Sequence, residues 1–239
     1  MKLRQIGKNL KGISQIQLTI LFYLYSKRTA MQKELFLERF HRNERLIGLS
    51  DGVFAIVLTL LVLDLRLPPM HGPVTTSGLW QALVHIQSKF ISFLLSFSFV
   101  ASLWFSHNQL FKLFDKVDNA MLWYNLLLLL MVCFIPFPTI LIGEYPHNAV
   151  GITLFGSVWV IIPLLIYAIG SRAYHKKYLH SSVNLKRFLY LRKMSLLYAP
   201  VSVLPIIISW KLPTLAFAFY VCMMLGGVAA GFLVKVEVE

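Results

Sequence analysis

The sequence predicts an all-α integral membrane protein, and three observations predict it. Of 239 residues, 57% are hydrophobic and only 14% charged, and the mean hydropathy is +0.68. A soluble domain is roughly 45–50% apolar. The apolar residues are gathered into runs long enough for a bilayer, which a helix of roughly 20 residues crosses. No ten-residue alternating pattern signals membrane strands.

Six runs qualify, near 46–66, 83–111, 119–142, 148–170, 188–209 and 212–234. The second and third read as unbroken for most of their length. The fourth and fifth contain Pro163, Pro200 and Pro205, which are expected to kink these helices rather than end them. The runs leave little room for a soluble domain. The expected division is a cytoplasmic extension over 1–41, a six-helix domain over 42–235 and a short tail over 236–239.

The net charge of +13 is explained by topology. If the chain weaves through a membrane at these runs, 20 of its Lys and Arg fall on one side and only Arg66, Lys89 and Lys211 on the other. The positive side is the cytoplasmic one, so both termini are predicted there, in a multi-pass protein of the inner (plasma) membrane. Attraction to anionic lipid accounts for the same charge, and nucleic acid is not an expected partner. Cys133 and Cys222 both lie in apolar runs, so no structural disulfide is expected. No Cys/His cluster has the spacing of a metal site, and no cofactor is predicted.

Residues 1–41 stand apart. "ISQIQLTILFYLYS" (13–26) is too short to span, is bracketed by basic residues and lacks a small-residue cleavage site. Two readings are equally compatible with it: an interfacial helix, or a lead-in upstream of a start at Met31.

Ionisable groups inside spans are costly and face protein or water. Asp51 lies about one turn into the first span, with Arg45 six residues earlier. In the second span "SLWFSHNQLF" (102–111) sets His107 and Asn108 at the same membrane level, because successive spans run in opposite directions. Arg45, Ser50, Asp51, His107 and Asn108 are therefore expected to meet. The plain reading is a snorkelling cluster that anchors two helix ends. The sharper one is a packed network that fixes the angle of the first helix, with His107 open to a pH role. Ser88, Ser92 and Ser96, and separately Ser98, Ser102 and Ser106, recur at helical spacing on the second span. Gly227-x-x-x-Gly231 does so on the sixth. These are packing features first.

The first span carries an aliphatic stripe. From Gly52 to Leu63 its only polar side chain is Thr59, and Asp64 and Arg66 close it. At 100° per residue, Ile56, Leu60 and Leu63 fall within about 60° of one another, with Thr59 on the flank. Such a stripe either meets lipid or, when copies face one another around an axis, forms stacked apolar rings that close a pore by dewetting. The residues alone leave both open.

"RLIGLSDGVFAIVLTLLVLDL", beginning at Arg45, resembles the first helix of the transmembrane protein 175 family of cation channels, whose signature is Arg, then Phe-Ser-Asp, then an aliphatic helix with a Thr. "SFSFVASLWFSHNQLF" is similar to that family's second helix, with its Trp104 and His107. "FIPFPTILIGEY" (134–145) is similar to its third. The likeness covers about 42–235 and departs at Leu49, where the family has Phe. It implies one six-helix repeat per bacterial subunit, a homotetramer with the first helix lining a central pore, and potassium permeation without a Thr-Val-Gly-Tyr-Gly carbonyl filter. It implies that Ile56 is the narrowest ring, Leu60 and Leu63 the rings further out, and Thr59 a contributor to selectivity. Arg45, Ser50, Asp51, Trp104 and His107 then belong to the network joining helices one and two.

Two rivals are weighed beside the channel. A membrane enzyme using Asp51 and His107 lacks His-Glu-x-x-His, Gly-x-Ser-x-Gly and any Asp-rich magnesium motif, so no enzymatic activity is expected. A secondary transporter predicts internal inverted repeats, and none is visible between 46–142 and 148–234.

Overall fold

The structure is a computed structural model that describes residues 15–69 and 74–233, with side chains assigned except at 15–21, 30, 32–41 and 227–233. The chain divides into two units, 1–42 and 43–239, each described here by itself. Helix α1, Gln15–Leu60, contributes residues to both. In the second unit follow α2 (Thr76–His85), α3 (Gln87–Lys112), α4 (Asn119–Phe134), α5 (Pro136–Glu144), α6 (Ala149–His175), α7 (Leu185–Ser209) and α8 (Pro213–Leu233).

Among the described residues five stretches are long and apolar enough to cross a membrane: Arg42–Asp64, Gln87–Lys112, Asn119–Glu144, Ala149–His175 and Leu185–Ser209. The run expected to be the sixth is α8, in which Pro213–Gly226 is the described apolar part. The Gly227-x-x-x-Gly231 spacing lies beyond the described side chains.

Local chemistry sets the helix limits. Asp118, Asn148 and Asn184 accept from the backbone N–H of Met121, Val150 and Arg187, satisfying donors that the first turns of α4, α6 and α7 leave free. Thr75 does the same for α2 through Gly78. The first span differs from expectation at its far end. Its α-helix stops at Leu60 and tightens into a 3₁₀ turn over Leu61–Asp64, ahead of Pro68 and Pro69. The second span begins at Gln87 rather than 83, because Ile86 leaves the helical conformation between α2 and α3.

The third run is one helix over Asn119–Phe134, most of its length, and is interrupted at Ile135. Pro136 has no N–H, and its ring crowds the carbonyl four residues back, that of Val132. That carbonyl accepts instead from Ile135 N at 3.1 Å, and α5 restarts at Pro136. Pro163, Pro200 and Pro205 lie inside continuous helices, α6 and α7.

The core forms where apolar faces of these helices meet. Phe54, Val57 and Leu61 from the first span pack with Leu95, Val100 and Phe111 of α3 and Met121, Leu128 and Val132 of α4. Small polar residues close the α3–α5 contact. Ser88 Oγ donates to Gly143 O at 2.9 Å, and Ser96 and Thr139 hydroxyls meet at 2.7 Å. A Cβ on Gly143 would stand 3.2 Å from Lys89 Cα, so glycine is what lets the two backbones approach. In contrast, Ser102 and Ser106 are exposed and Ser98 half-buried.

Gly156 of α6 plays a similar part beneath α7 and α8, where Tyr220 and Ile206 occupy the space a side chain would take. Tyr220 donates to Ser202 O at 3.2 Å and stands edge-on to Phe155. Between α3 and α4, Asp115 N donates to Tyr178 O and His180 N to Leu113 O, tying this loop to the one after α6. Arg172 donates to Asp118 across the same junction at 2.8 Å.

Candidate functional site

The aliphatic stripe and the polar cluster occupy opposite faces of the first span. Phe54 and Val57 are 1% and 2% exposed, whereas Ile56, Leu60 and Leu63 are 61%, 44% and 58% exposed. Leu63 sits in the 3₁₀ turn, where residues three apart eclipse, so it stacks over Leu60 more directly than a continuing α-helix would allow. Thr59 is exposed beside them, and its hydroxyl donates to Ile56 O at 2.8 Å and Ala55 O at 3.2 Å. Its proton is held by its own helix, and its oxygen lone pairs face outward as acceptors.

On the other face lies a directional chain of hydrogen bonds. Ser50 Oγ donates to Leu46 O at 2.9 Å and accepts from Asn125 Nδ2 at 3.1 Å. Asn125 Oδ1 meets His107 Nε2 at 2.7 Å. Since that amide oxygen only accepts, the His107 proton resides on Nε2. Ser50, His107 and Asn125 are at most 1% exposed, and among the described residues His107 Nδ1 has no hydrogen-bond partner. The imidazole is held flat by Phe111, stacked at 4.4 Å between centroids, and flanked by Phe54 at 5.6 Å.

Asp51, half-buried, stands one residue beyond this chain and accepts from Trp104 Nε1 at 2.8 Å. Among the described residues its hydrogen-bond partner is this indole. Arg45 is exposed, and no bond joins it to Ser50, Asp51 or His107. Asn108 is half-buried and likewise outside the chain. So Ser50, Asp51, Trp104 and His107 are brought together, and Arg45 and Asn108 are not.

Two asparagines that the sequence reading passed over do the joining. Asn125 is the lone strongly polar side chain in "LWYNLLLLLMV", and a single amide in such a run is a signal of interhelical bonding. Asn43 donates to Phe111 O at 3.3 Å and Phe114 O at 3.2 Å, tying the start of the first span to the end of α3.

Beyond Leu63 the stripe borders a cavity of about 370 Å³, lined by Leu60, Leu63, Asp64, Arg66, Lys89 and Glu144 among others. Lys89 Nζ and Glu144 Oε1 pair with each other in its lining at 3.0 Å. Among the described residues no group of His, Cys, Asp and Glu is placed to hold a metal ion.

The family described as endosomal/lysosomal potassium channel TMEM175 matches residues 45–136, the segment that holds the stripe, Asp51, Trp104, His107 and Asn125. Residues 45–136 of this chain are thus similar to that family. A potassium channel of Chamaesiphon minutus is 36% identical over 132 residues, covering 54% of this chain and 64% of that one. A potassium channel of Streptomyces collinus is 40% identical over 105 residues, 44% of this chain and 50% of that one. The chain thus spans only 50% to 64% of the length of these two curated relatives. The fold likeness reaches further. The crystal structure of a lysosomal potassium-selective channel TMEM175 homolog from Chamaesiphon minutus superposes with a TM-score of 0.70 at 26% identity, covering 80% of this chain and 98% of that one.

Proposed function

We propose that this chain is a potassium-permeable cation channel, closed by apolar rings rather than filtered by backbone carbonyls. Potassium is the permeating ion, and no cofactor takes part. The observation that carries the reading is the asymmetry of the first span: Phe54, Val57 and Leu61 are buried at 1–3% exposure, while Ile56, Leu60 and Leu63 remain 44–61% exposed in the single chain. A homotetramer would gather those exposed residues at a shared axis. Ile56 would form the narrowest ring, with Leu60 and Leu63 above it and Thr59 offering hydroxyl oxygens beside it. Rings of this kind exclude water until they widen, and conduction follows hydration.

The Ser50–Asn125–His107 chain and the Trp104–Asp51 bond support this by fixing how the first span presents its aliphatic face. The relatives above are named as channels rather than enzymes, and Asp51 and His107 are engaged in helix-to-helix bonds. The protein is read as a multi-pass component of a bacterial plasma membrane with both termini cytoplasmic. The six-helix domain, 42–235, is its channel part.

The test is potassium flux from liposomes carrying the purified chain. Wild type is expected to pass potassium, and Ile56→Asn to leak more, because a polar ring stays wet. Vesicles that hold their gradient with both proteins overturn the reading, as does a strictly monomeric state in detergent. Saturable flux stoichiometrically tied to a second solute would favour a transporter instead.

A further inference from the structure

We propose that Arg192 and Ser171 bind the phosphate group of an anionic phospholipid at the membrane edge where α6 ends and α7 begins. Tyr167, Ser171 and Tyr174 lie within about 60° of one another around α6 at 100° per residue. The Arg192 side chain of α7 lies across this face. Its guanidinium carbon stands 5.7 Å over the Tyr167 ring and 4.9 Å over that of Tyr174. Its stem passes Gly170, where an added Cβ would meet Arg192 Cγ at 3.8 Å and Cδ at 4.0 Å. The rings attract the cation but leave its N–H donors without an oxygen to bond.

Two polar atoms here are covered and, among the described residues, have no hydrogen-bond partner: Arg192 Nε and Ser171 Oγ. The packed helices supply no counter-ion. Neither α6 nor α7 contains an acidic residue. In the loop beside them, Asp118 is taken by Arg172 at 2.8 Å and Asp115 stands 3.9 Å from His180. A half-buried cation without an anion is costly. A phosphate answers both orphans, with oxygens for the guanidinium fork and another for the serine hydroxyl.

Position selects a lipid as the source. Arg192 stands seven residues after Leu185, the start of α7, which is about 10 Å along the helix. The two tyrosines beside it join apolar rings to phenols, which suits the boundary between acyl chains and water. Lys176, Lys177 and Lys193 are exposed nearby and favour a headgroup of net negative charge over a choline. The proposal rests on the membrane-spanning reading above and not on conduction.

The test is native mass spectrometry of the full purified chain in detergent, titrated with phosphatidylglycerol or phosphatidylcholine. Wild type is expected to hold phosphatidylglycerol about tenfold more tightly than phosphatidylcholine. Arg192→Lys keeps the charge but loses the planar fork, and should weaken binding about tenfold; Ser171→Ala should weaken it about threefold. Lys193→Gln removes an adjacent exposed charge and should weaken it less than Arg192→Lys does. Phosphatidylglycerol held by Arg192→Lys and Ser171→Ala as tightly as by wild type would overturn the proposal. Equal affinity for the two lipids, or a Lys193→Gln loss as large as that of Arg192→Lys, would also overturn it, leaving only general attraction to basic residues. Inorganic phosphate that displaces phosphatidylglycerol and is itself retained would make a soluble anion the occupant and overturn the lipid assignment. No ion flux is read, so failure here and failure of the channel reading are told apart.

Discussion

Trp104 of α3 donates its indole N–H to the Asp51 carboxylate of α1 at 2.8 Å, joining residues 53 positions apart in the chain. A side-chain hydrogen bond of this kind contributes roughly 0.5–1.5 kcal/mol, and up to about 3 where the acceptor carries charge. Trp104→Phe is therefore expected to lower the melting temperature in detergent by several degrees, at about 2–4 °C per kcal/mol for a chain of this size. Asp51→Asn keeps an oxygen in reach of the indole and should lose less. A Trp104→Phe protein as stable as wild type would show that the bond does not hold the two helices.

Asn125 is the hub of the buried chain, so its loss should exceed that of either neighbour. Asn125→Leu strands the His107 Nε2 proton and removes the donor to Ser50, both fully buried. An unsatisfied buried polar group costs about 1–3 kcal/mol. Ser50→Ala leaves one Asn125 N–H unpaired and is expected to cost less. Thermal unfolding of the two variants in parallel checks the order.

Gly156→Ala should be harmful despite adding one methyl group. The new Cβ would fall on Tyr220 Oη and 2.5 Å from Ile206 Cγ1. Overpacking of this kind costs about 1–3 kcal/mol. Adding Tyr220→Phe removes the nearest obstacle, at the expense of the bond to Ser202 O. The double variant should be more stable than the sum of the two single losses predicts, which a double-mutant cycle measures.

Asp118 links stability to pH. Burial pushes its carboxyl up, but N–H donation from Met121 and the Arg172 guanidinium outweigh this and hold it below the usual carboxylate range. A group whose pKa falls on folding stabilises the protein above its unfolded value and loses that contribution as pH drops through the folded one. Wild type should therefore exceed Asp118→Ala in stability at neutral pH by about 1 kcal/mol for the lost helix cap, read as a higher melting temperature. The gap should close as the solution is acidified below the ordinary carboxylate range. A gap that persists unchanged under acid would refute the assignment.

The residues that matter were unequally legible. The aliphatic stripe was visible because helical spacing is local: Ile56, Leu60 and Leu63 share a face wherever the helix sits. The partner of Asp51 was not, since a carboxylate accepts equally from Arg45 or Trp104 and only packing decides which arrives. Asn125 was passed over although its run is otherwise apolar, because nothing local to α4 points to Ser50 and His107 as its partners. The interruption at Ile135 is legible from Pro136, whose ring and missing N–H act on the turn just before it.

By itself the sequence determined that this chain belongs in a bilayer, where its apolar runs lie, which side its positive charge favours and which face of the first span is uniformly aliphatic. These follow from hydropathy, charge and helical period, properties that sum along neighbouring residues. The tertiary structure alone decided that Trp104 holds Asp51, that Asn125 bridges Ser50 to His107, and that Arg45 and Asn108 stand outside. A hydrogen bond depends on a distance near 3 Å between groups as far as 75 residues apart, and only helices packed against one another bring such groups within reach.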